Sequence, residues 1–207
     1  MLSYDSYVAA IKKGRCYVSD GNSHIIDFSV NGMEAGTKDS KLLLNKKQPV
    51  NITARVAANL PEHQDEAGAA IAHRDPLLQP YWHIERARIG TSGKVGVELV
   101  INGKAVDTAE IIADGKWVNV SFSYPITASS WVALRILPSS HTNPVFIQLN
   151  GKPVREPHSA EWCLRAVDQC WKMKQSNIRP SEQAAAKAAY DSARRTYEAM
   201  TRETPDE

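Results

Sequence analysis

The sequence predicts a mainly β protein, an immunoglobulin-like antiparallel β-sandwich with a short N-terminal helix and a C-terminal helical hairpin. Three observations support this fold class. Apolar and polar residues alternate in short segments between Arg15 and Leu149, and turn residues recur at intervals of roughly eight to twelve positions. Apolar residues at helical spacing occur only near the two ends of the chain. The order of the strands does not follow from these patterns.

The N-terminal helix is predicted from one apolar stripe. Tyr4, Tyr7 and Ile11 recur at the spacing of one helix face. Ser3 is suited to cap the start of this helix, and Gly14 is suited to end it. The stripe needs an apolar partner, either within this chain or in another domain.

The strand signals are strongest in the middle of the chain. The segment from Val50 to Val56 alternates most regularly, and Asn102-Gly103 between two alternating segments is the strongest hairpin signal. A further strand is predicted from Trp82 to Ile89. The connection at residues 59–80 is too long for a tight turn, so it is either a functional loop or a variable surface insertion.

After Pro157 the apolar spacing becomes helical, and a short break precedes a second helix that Ser181 is suited to cap. The sequence therefore predicts three parts. Residues 1–14 form a linker helix, and residues 15–157 form the β-sandwich domain. Residues 158–207 form a helical hairpin that packs on the sandwich or on a missing domain.

Composition excludes several classes of protein. Hydrophobic residues make up 43% of the chain, which is too many for a disordered protein. The formal net charge of +2 gives no electrostatic reason to expect nucleic acid as a partner, and no apolar run is long enough to span a membrane. Three scattered cysteines do not suggest a disulfide framework.

No catalytic motif is recognisable. The sequence lacks His-x-His, His-Glu-x-x-His and Cys-x-x-Cys spacings, the Gly-x-Ser-x-Gly nucleophile turn and the glycine-rich phosphate-binding loops. We therefore predict no catalytic residue, no metal ligand and no cofactor in this chain.

The first chemically dense segment supplies five candidates for contacts with a ligand or a partner domain. In a strand, Trp82, Arg86 and Arg88 would share one face, and His83 and Glu85 would share the other. Arginines beside aromatic rings are suited to hold a carboxylate, a phosphate or a sugar. The alternative interpretation is an edge strand whose charges prevent aggregation.

The second dense segment supplies four further candidates, Ser140, His141, Thr142 and Asn143. Hydroxyl, amide and imidazole groups before a proline are typical of a tight polar turn, and they also suit a ligand-facing loop at one end of a sandwich.

The tryptophans are the remaining candidates for ligand contacts. We expect at least four of the five in the core, with Trp82 and Trp117 as the candidates for exposed sugar-stacking platforms.

Several segments resemble a known family. Residues 14–21, Gly-Arg-Cys-Tyr-Val-Ser-Asp-Gly, and residues 27–32, Asp-Phe-Ser-Val-Asn-Gly, resemble a stretch in the CehA/McbA-type metallohydrolases of the PHP superfamily. In that family the stretch follows the catalytic barrel and opens a C-terminal β-sandwich. The other similar segments are residues 81–90, 100–104, 130–144 and 159–171. The likeness therefore covers most of the chain.

The resemblance implies that this chain is a non-catalytic accessory C-terminal domain that packs on the barrel and shapes its entrance. The expected partner is that missing N-terminal barrel, which would hold the divalent metals through an early His-x-His and further ligands that have no match here. Parents of this type are often exported bacterial proteins, so an exported or periplasmic location is implied if the parent carries a signal peptide. The main alternative is a stand-alone immunoglobulin-like module that binds carbohydrate or protein through Trp82 and residues 59–80, and a self-sufficient hydrolase is a third hypothesis.

Overall fold

The computed structural model describes residues 3–75, 77–78 and 83–203. Its contacts separate two compact units, with the division between Lys152 and Pro153. Among the described residues the first unit contains helices α1 (Tyr4–Lys12) and α2 (Glu66–Ala72) and eleven strands, and the second contains helices α3 (Pro157–Lys174) and α4 (Gln183–Thr201). The strands are β1 (Tyr17–Ser19), β2 (Ser23–Val30), β3 (Met33–Glu34), β4 (Lys41–Leu44), β5 (Gln48–Ala58), β6 (Lys94–Ile101), β7 (Lys104–Ile112), β8 (Val118–Ile126), β9 (Ser130–Ile136), β10 (Ser140–Thr142) and β11 (Val145–Leu149). The predicted mainly β sandwich with terminal helices is confirmed.

The strands form two sheets. The larger, seven-stranded sheet has the order β1-β10-β9-β11-β4, and β6 also pairs with β9 and carries β7. The smaller, four-stranded sheet has the order β3-β2-β5-β8. Neighbouring strands are antiparallel except β4 and β11, which run parallel.

The core lies between the inner faces of the two sheets, and strand β5 shows how the sequence encodes it. Val50, Ile52 and Val56 are buried in the core cluster, whereas the intervening Asn51 and Arg55 are exposed. Because successive side chains of a strand point to opposite faces, this alternation fixes the register of β5 against its neighbours β2 and β8.

The predicted hairpin turn at Asn102-Gly103 is confirmed, since it joins β6 to β7. Both turn residues have positive φ, 49° for Asn102 and 85° for Gly103, as a two-residue turn that matches the strand twist requires. Asn31 and Gly32 connect β2 to β3 in the same way, with φ of 48° and 76°.

The second unit is the predicted helical hairpin. Helices α3 and α4 contact each other, and Trp171 packs against Tyr190 with ring centroids 5.1 Å apart. The predicted capping by Ser181 is wrong, because α4 begins at Gln183 and no side chain caps it. Among the described residues, no helix has both the length and the hydropathy needed to cross a membrane.

The strand predicted from Trp82 to Ile89 is wrong where it is described. Ile84–Ala87 forms a 3-10 helix, begun by His83, whose Nδ1 accepts a hydrogen bond from the backbone N–H of Glu85. Glu85 and Arg88 are therefore separated by one helical turn and meet each other, instead of lying on opposite faces of a strand. Trp82 lies outside the described residues.

The expectation that at least four tryptophans lie in the core is also wrong. Trp117, one of the two candidates for an exposed platform, is 45% exposed beside the start of β8, as expected, but Trp162 on helix α3 is 65% exposed. Trp131 and Trp171 are half-buried. Apolar neighbours in the sequence do not show whether a tryptophan is buried. Its position on the outer side of a helix or at the edge of a sheet can leave it at the surface.

Candidate functional site

The pair Glu85 and Arg88 is buried, with 4% of the Glu85 side chain and 1% of the Arg88 side chain exposed. The guanidinium binds the carboxylate in a bidentate manner. Nε of Arg88 donates to Oε1 of Glu85, and Nη2 donates to Oε2 at 3.0 Å. This geometry satisfies both charges inside the protein.

The remaining donors around this pair hold the connection between β5 and β6. Arg88 Nη1 donates to the carbonyl of Ser92 at 2.5 Å, and Nη2 donates to the carbonyl of Pro61 at 3.0 Å. Gln64 Nε2 donates to Oε1 of Glu85 at 3.0 Å. The hydrogen bond from Arg88 is the main reason that the pKa of Glu85 lies below its ordinary value, although burial acts in the opposite direction. Both side chains thus stabilise the long connection between β5 and β6 through buried contacts.

The two other described candidates of this segment are half-buried. His83 accepts a hydrogen bond from the backbone N–H of Glu85 at 3.3 Å, and Nη1 of Arg86 donates to the carbonyl of Arg74 at 2.5 Å. Arg86 therefore also links two parts of the connection between β5 and β6, next to the end of helix α2.

The segment predicted as a ligand-facing loop contains strand β10, which pairs with β1 and β9. Ser140 and its neighbour Ser139 are buried, and the hydroxyl of Ser23 lies 2.6 Å from the hydroxyls of both. Ser139 in turn donates to Oδ1 of Asp20 at 2.6 Å. This chain of hydroxyls links the turn before β2 to the turn before β10.

The other members of the segment have different environments. Thr142 is buried, and its hydroxyl accepts a hydrogen bond from the backbone N–H of Leu134 at 3.1 Å. Nδ2 of Asn143 lies 3.0 Å from the carbonyl oxygen of Gly14, to which it donates. His141 is exposed, and its strand partner in β1 is Val18. Of these candidates, His141 is the side chain that the fold presents to solvent.

The structure brings together a cluster that the sequence did not predict, formed by Tyr17, His24, Asp27, Arg55 and Trp117. The Tyr17 hydroxyl lies 2.9 Å from Nδ1 of His24, and the two rings meet edge to face. The His24 and Trp117 rings are 6.3 Å apart, and the Arg55 guanidinium lies 5.4 Å from the centroid of the Trp117 ring. Arg55 also pairs with Asp27 at 3.3 Å.

Asp27 lies at an irregularity of strand β2. The register against β5 shifts between Ile26 and Ser29, and Asp27 has a φ of 53°. A bulge of this kind redirects a side chain, and bulges are frequent beside functional sites. Asp27 is thereby exposed beside Arg55, although it lies in a strand that alternates buried and half-buried residues.

Two open cavities adjoin Asp27. One of about 300 Å³ lies against the outer side of the small sheet and is lined by Asp27, Arg55 and the β8 residues Asn119 and Ser121, among others. The other, of about 240 Å³, is lined by Asp27, Tyr17, Arg15 and Glu34, together with the predicted candidates Thr142 and Asn143. The residues of the Trp117 cluster come from β1, β2, β5 and the segment just before β8, and this separation along the chain explains why no local motif indicated the cluster.

The cluster supplies groups for stacking, for accepting and for donating hydrogen bonds. No three or more His, Cys, Asp or Glu side chains gather into a possible metal site in the part of the chain that the structure describes.

No model of a known protein family matches this chain, and a search of curated proteins finds no match either.

Proposed function

We propose that this chain is a non-catalytic accessory domain of a PHP-type metal-dependent hydrolase, which packs on the catalytic barrel and shapes its entrance. The resemblance of residues 14–21 and 27–32 motivates the proposal. One structural observation carries it. The apolar stripe of helix α1 faces solvent, with Tyr4 80%, Tyr7 57% and Ile11 49% exposed.

Helix α1 is well formed without contributing a buried residue. Ser3 and Ser6 form a reciprocal capping box at its start, and its end is closed by the bond from the Arg15 N–H to the Ala10 carbonyl at 2.8 Å. An isolated helix shorter than about 12 residues is marginal in water, so a helix of nine residues gains from a surface that covers its stripe.

The position of this apolar stripe is consistent with the catalytic barrel as the surface that covers it. Helix α1 directly precedes β1, which lies within the segment that resembles the start of the accessory domain in the family. In such an arrangement α1 lies between barrel and sandwich. Full burial of a large apolar side chain stabilises by roughly 1.5–3 kcal/mol, and Tyr4, Tyr7 and Ile11, which are 80%, 57% and 49% exposed, would each contribute a part of that on docking.

The first test is the genomic reading frame upstream of the Met1 codon. An open frame that encodes a His-x-His-bearing barrel supports the proposal. A stop codon and a ribosome-binding site immediately before Met1 contradict it.

The second test uses the full-length protein and the 207-residue chain side by side. Replacing Tyr4 and Tyr7 by serine is expected to lower the melting temperature of the full-length protein only, because both side chains are exposed in the chain alone. The control is Leu43→Ser at an exposed position on β4, which is expected to change the melting temperature of neither the full-length protein nor the 207-residue chain. Equal melting temperatures for the full-length double variant and the full-length wild type would show that α1 does not dock on the barrel.

The shaping of the entrance has its own readout. His141 is the exposed candidate of its segment, so we expect His141→Ala to lower kcat/KM of the full-length enzyme without changing its stability. Unchanged kcat/KM excludes this segment from the entrance.

A further inference from the structure

We propose that the outer face of the small sheet carries a binding site for a neutral carbohydrate, centred on Trp117, Arg55 and Asp27. The site goes beyond the accessory role, because its residues lie on β2, on β5 and just before β8, and not on helix α1. Of the two tryptophans predicted as sugar-stacking platforms, the proposal uses Trp117.

The outward positions of this sheet carry small polar side chains. In the register of β5 and β8, Arg55 is opposite Asn119, Thr53 is opposite Ser121, and Asn51 is opposite Ser123. The residues between them, such as Ile52, Val120 and Phe122, are buried in the core. Hydroxyl and amide groups both donate and accept hydrogen bonds, as sugar hydroxyls do.

Trp117 supplies the stacking surface at one end of this face. Its ring is oriented by the guanidinium of Arg55 and by the ring of His24, while 45% of the residue remains exposed. A large aromatic ring with few rotatable bonds offers contact area at low entropic cost. The C–H face of a pyranose ring is a complementary apolar surface.

The pair of Arg55 and Asp27 supplies the directional contacts. Both side chains are well exposed, 47% for Arg55 and 62% for Asp27, so their remaining donors and acceptors are accessible. The adjacent groove of about 300 Å³ is at the lower end of the ~300–1,000 Å³ range of small-ligand pockets, and a sugar unit fits this scale.

The same pair favours a neutral ligand over an anion. Asp27 lies 3.3 Å from Arg55 and offsets the charge that would attract a phosphate or a sulfate. A protein partner is also disfavoured, because the face offers one large aromatic side chain among small polar ones, and the cores of protein interfaces are rich in apolar groups.

The test is isothermal titration calorimetry of the 207-residue chain with soluble hexasaccharides of glucose, mannose, galactose and N-acetylglucosamine. Inorganic phosphate serves as the anionic probe in the same assay. We expect saturable binding of at least one hexasaccharide, in preference to phosphate. Absence of binding to all four, or tighter binding of phosphate, overturns the proposal.

Variants locate the site. Trp117→Ala is expected to weaken binding roughly tenfold or more, as truncation of a central aromatic residue commonly does. Trp117→Phe keeps a smaller ring and is expected to retain part of the affinity. Trp162→Ala removes the exposed tryptophan of the other unit and is expected to change nothing. Wild-type affinity in Trp117→Ala, or a loss in Trp162→Ala, overturns the assignment.

The polar contact is tested by Asp27→Asn. Asparagine tolerates positive φ and so keeps the bulge, but it removes the charge and one acceptor. We expect binding to fall several-fold with the melting temperature preserved. An affinity equal to that of the wild type removes Asp27 from the site.

Discussion

Replacing Glu85 by glutamine tests the structural role of the buried ion pair. The carboxylate accepts two buried hydrogen bonds from Arg88 and one part-buried hydrogen bond from Gln64. A glutamine offers one oxygen and turns an NH₂ group toward a donor of Arg88 or of Gln64. The guanidinium then loses its counter-charge and at least one acceptor.

The magnitude follows from these contacts. Hydrogen bonds to charged groups contribute about 1.5–3 kcal/mol each, and removing one partner of a buried pair costs about 3–5 kcal/mol. Because the amide oxygen of the introduced glutamine still accepts one bond, we expect Glu85→Gln to lower the free energy of unfolding by about 3 kcal/mol. For a chain of this size that corresponds to a melting temperature lower by roughly 6–12 °C.

The matched control is Glu98→Gln. Glu98 also pairs with an arginine, Arg135, but 28% of the arginine side chain and 29% of the glutamate side chain are exposed. Because water still reaches both side chains, we expect Glu98→Gln to cost less than Glu85→Gln, on the order of 1 kcal/mol. Urea unfolding of both variants, followed by circular dichroism, measures the difference. Equal losses in the two variants would refute the argument that burial makes the Glu85 pair important.

Three further predictions concern the same region and the serine cluster. Since the pKa of Glu85 is lowered in the folded state, its stabilisation is complete above the ordinary value of 4.5 and is lost as the pH falls below it. We therefore expect the stability difference between wild type and Glu85→Gln, measured by urea unfolding, to shrink as the pH falls below 4.5, and a constant difference would contradict the lowered pKa. Gly68→Ala places a Cβ 2.9 Å from Cδ of Glu85, and because that carboxylate is fixed by its partners, we expect a loss of roughly 1–3 kcal/mol in thermal unfolding, whereas an unchanged midpoint would show that the carboxylate can move. Ser139→Ala removes the hydroxyl between Ser23 and Asp20, and we expect a loss of about 1–2 kcal/mol by the same measurement, with wild-type stability as the contradicting result.

The elements that the sequence predicted correctly are those that a local pattern encodes. Strand β5 follows from its alternation of period two, and the β6–β7 hairpin follows from Asn102-Gly103, since both signals need only neighbouring residues. The segment around Glu85 was predicted as a strand because its charged and apolar residues alternate. The spacing of Glu85 and Arg88 is that of a helical turn, and this signal favoured the observed 3-10 helix.

The cluster around Trp117 could not be predicted in this way. Asp27, Arg55 and Trp117 come from three places in the chain, and they meet because β5 pairs with both β2 and β8 and because Asp27 is exposed at the bulge. Strand order and bulges depend on long-range pairing, for which a single sequence carries no local signal.

Two arginine–acid pairs in this sandwich show how burial decides the role of the same chemical groups. Arg88 and Glu85 are almost wholly buried, so every contact they make stabilises the long connection, and neither can reach a ligand. Arg55 and Asp27 are about half exposed, so their mutual attraction is screened by water and contributes little stability. Such a pair costs the fold little stability. Its exposed donors and acceptors can exchange their hydrogen bonds with water for hydrogen bonds with a sugar. Exposure, rather than residue type, therefore separates the pair that holds this fold from the pair that we infer to bind a ligand.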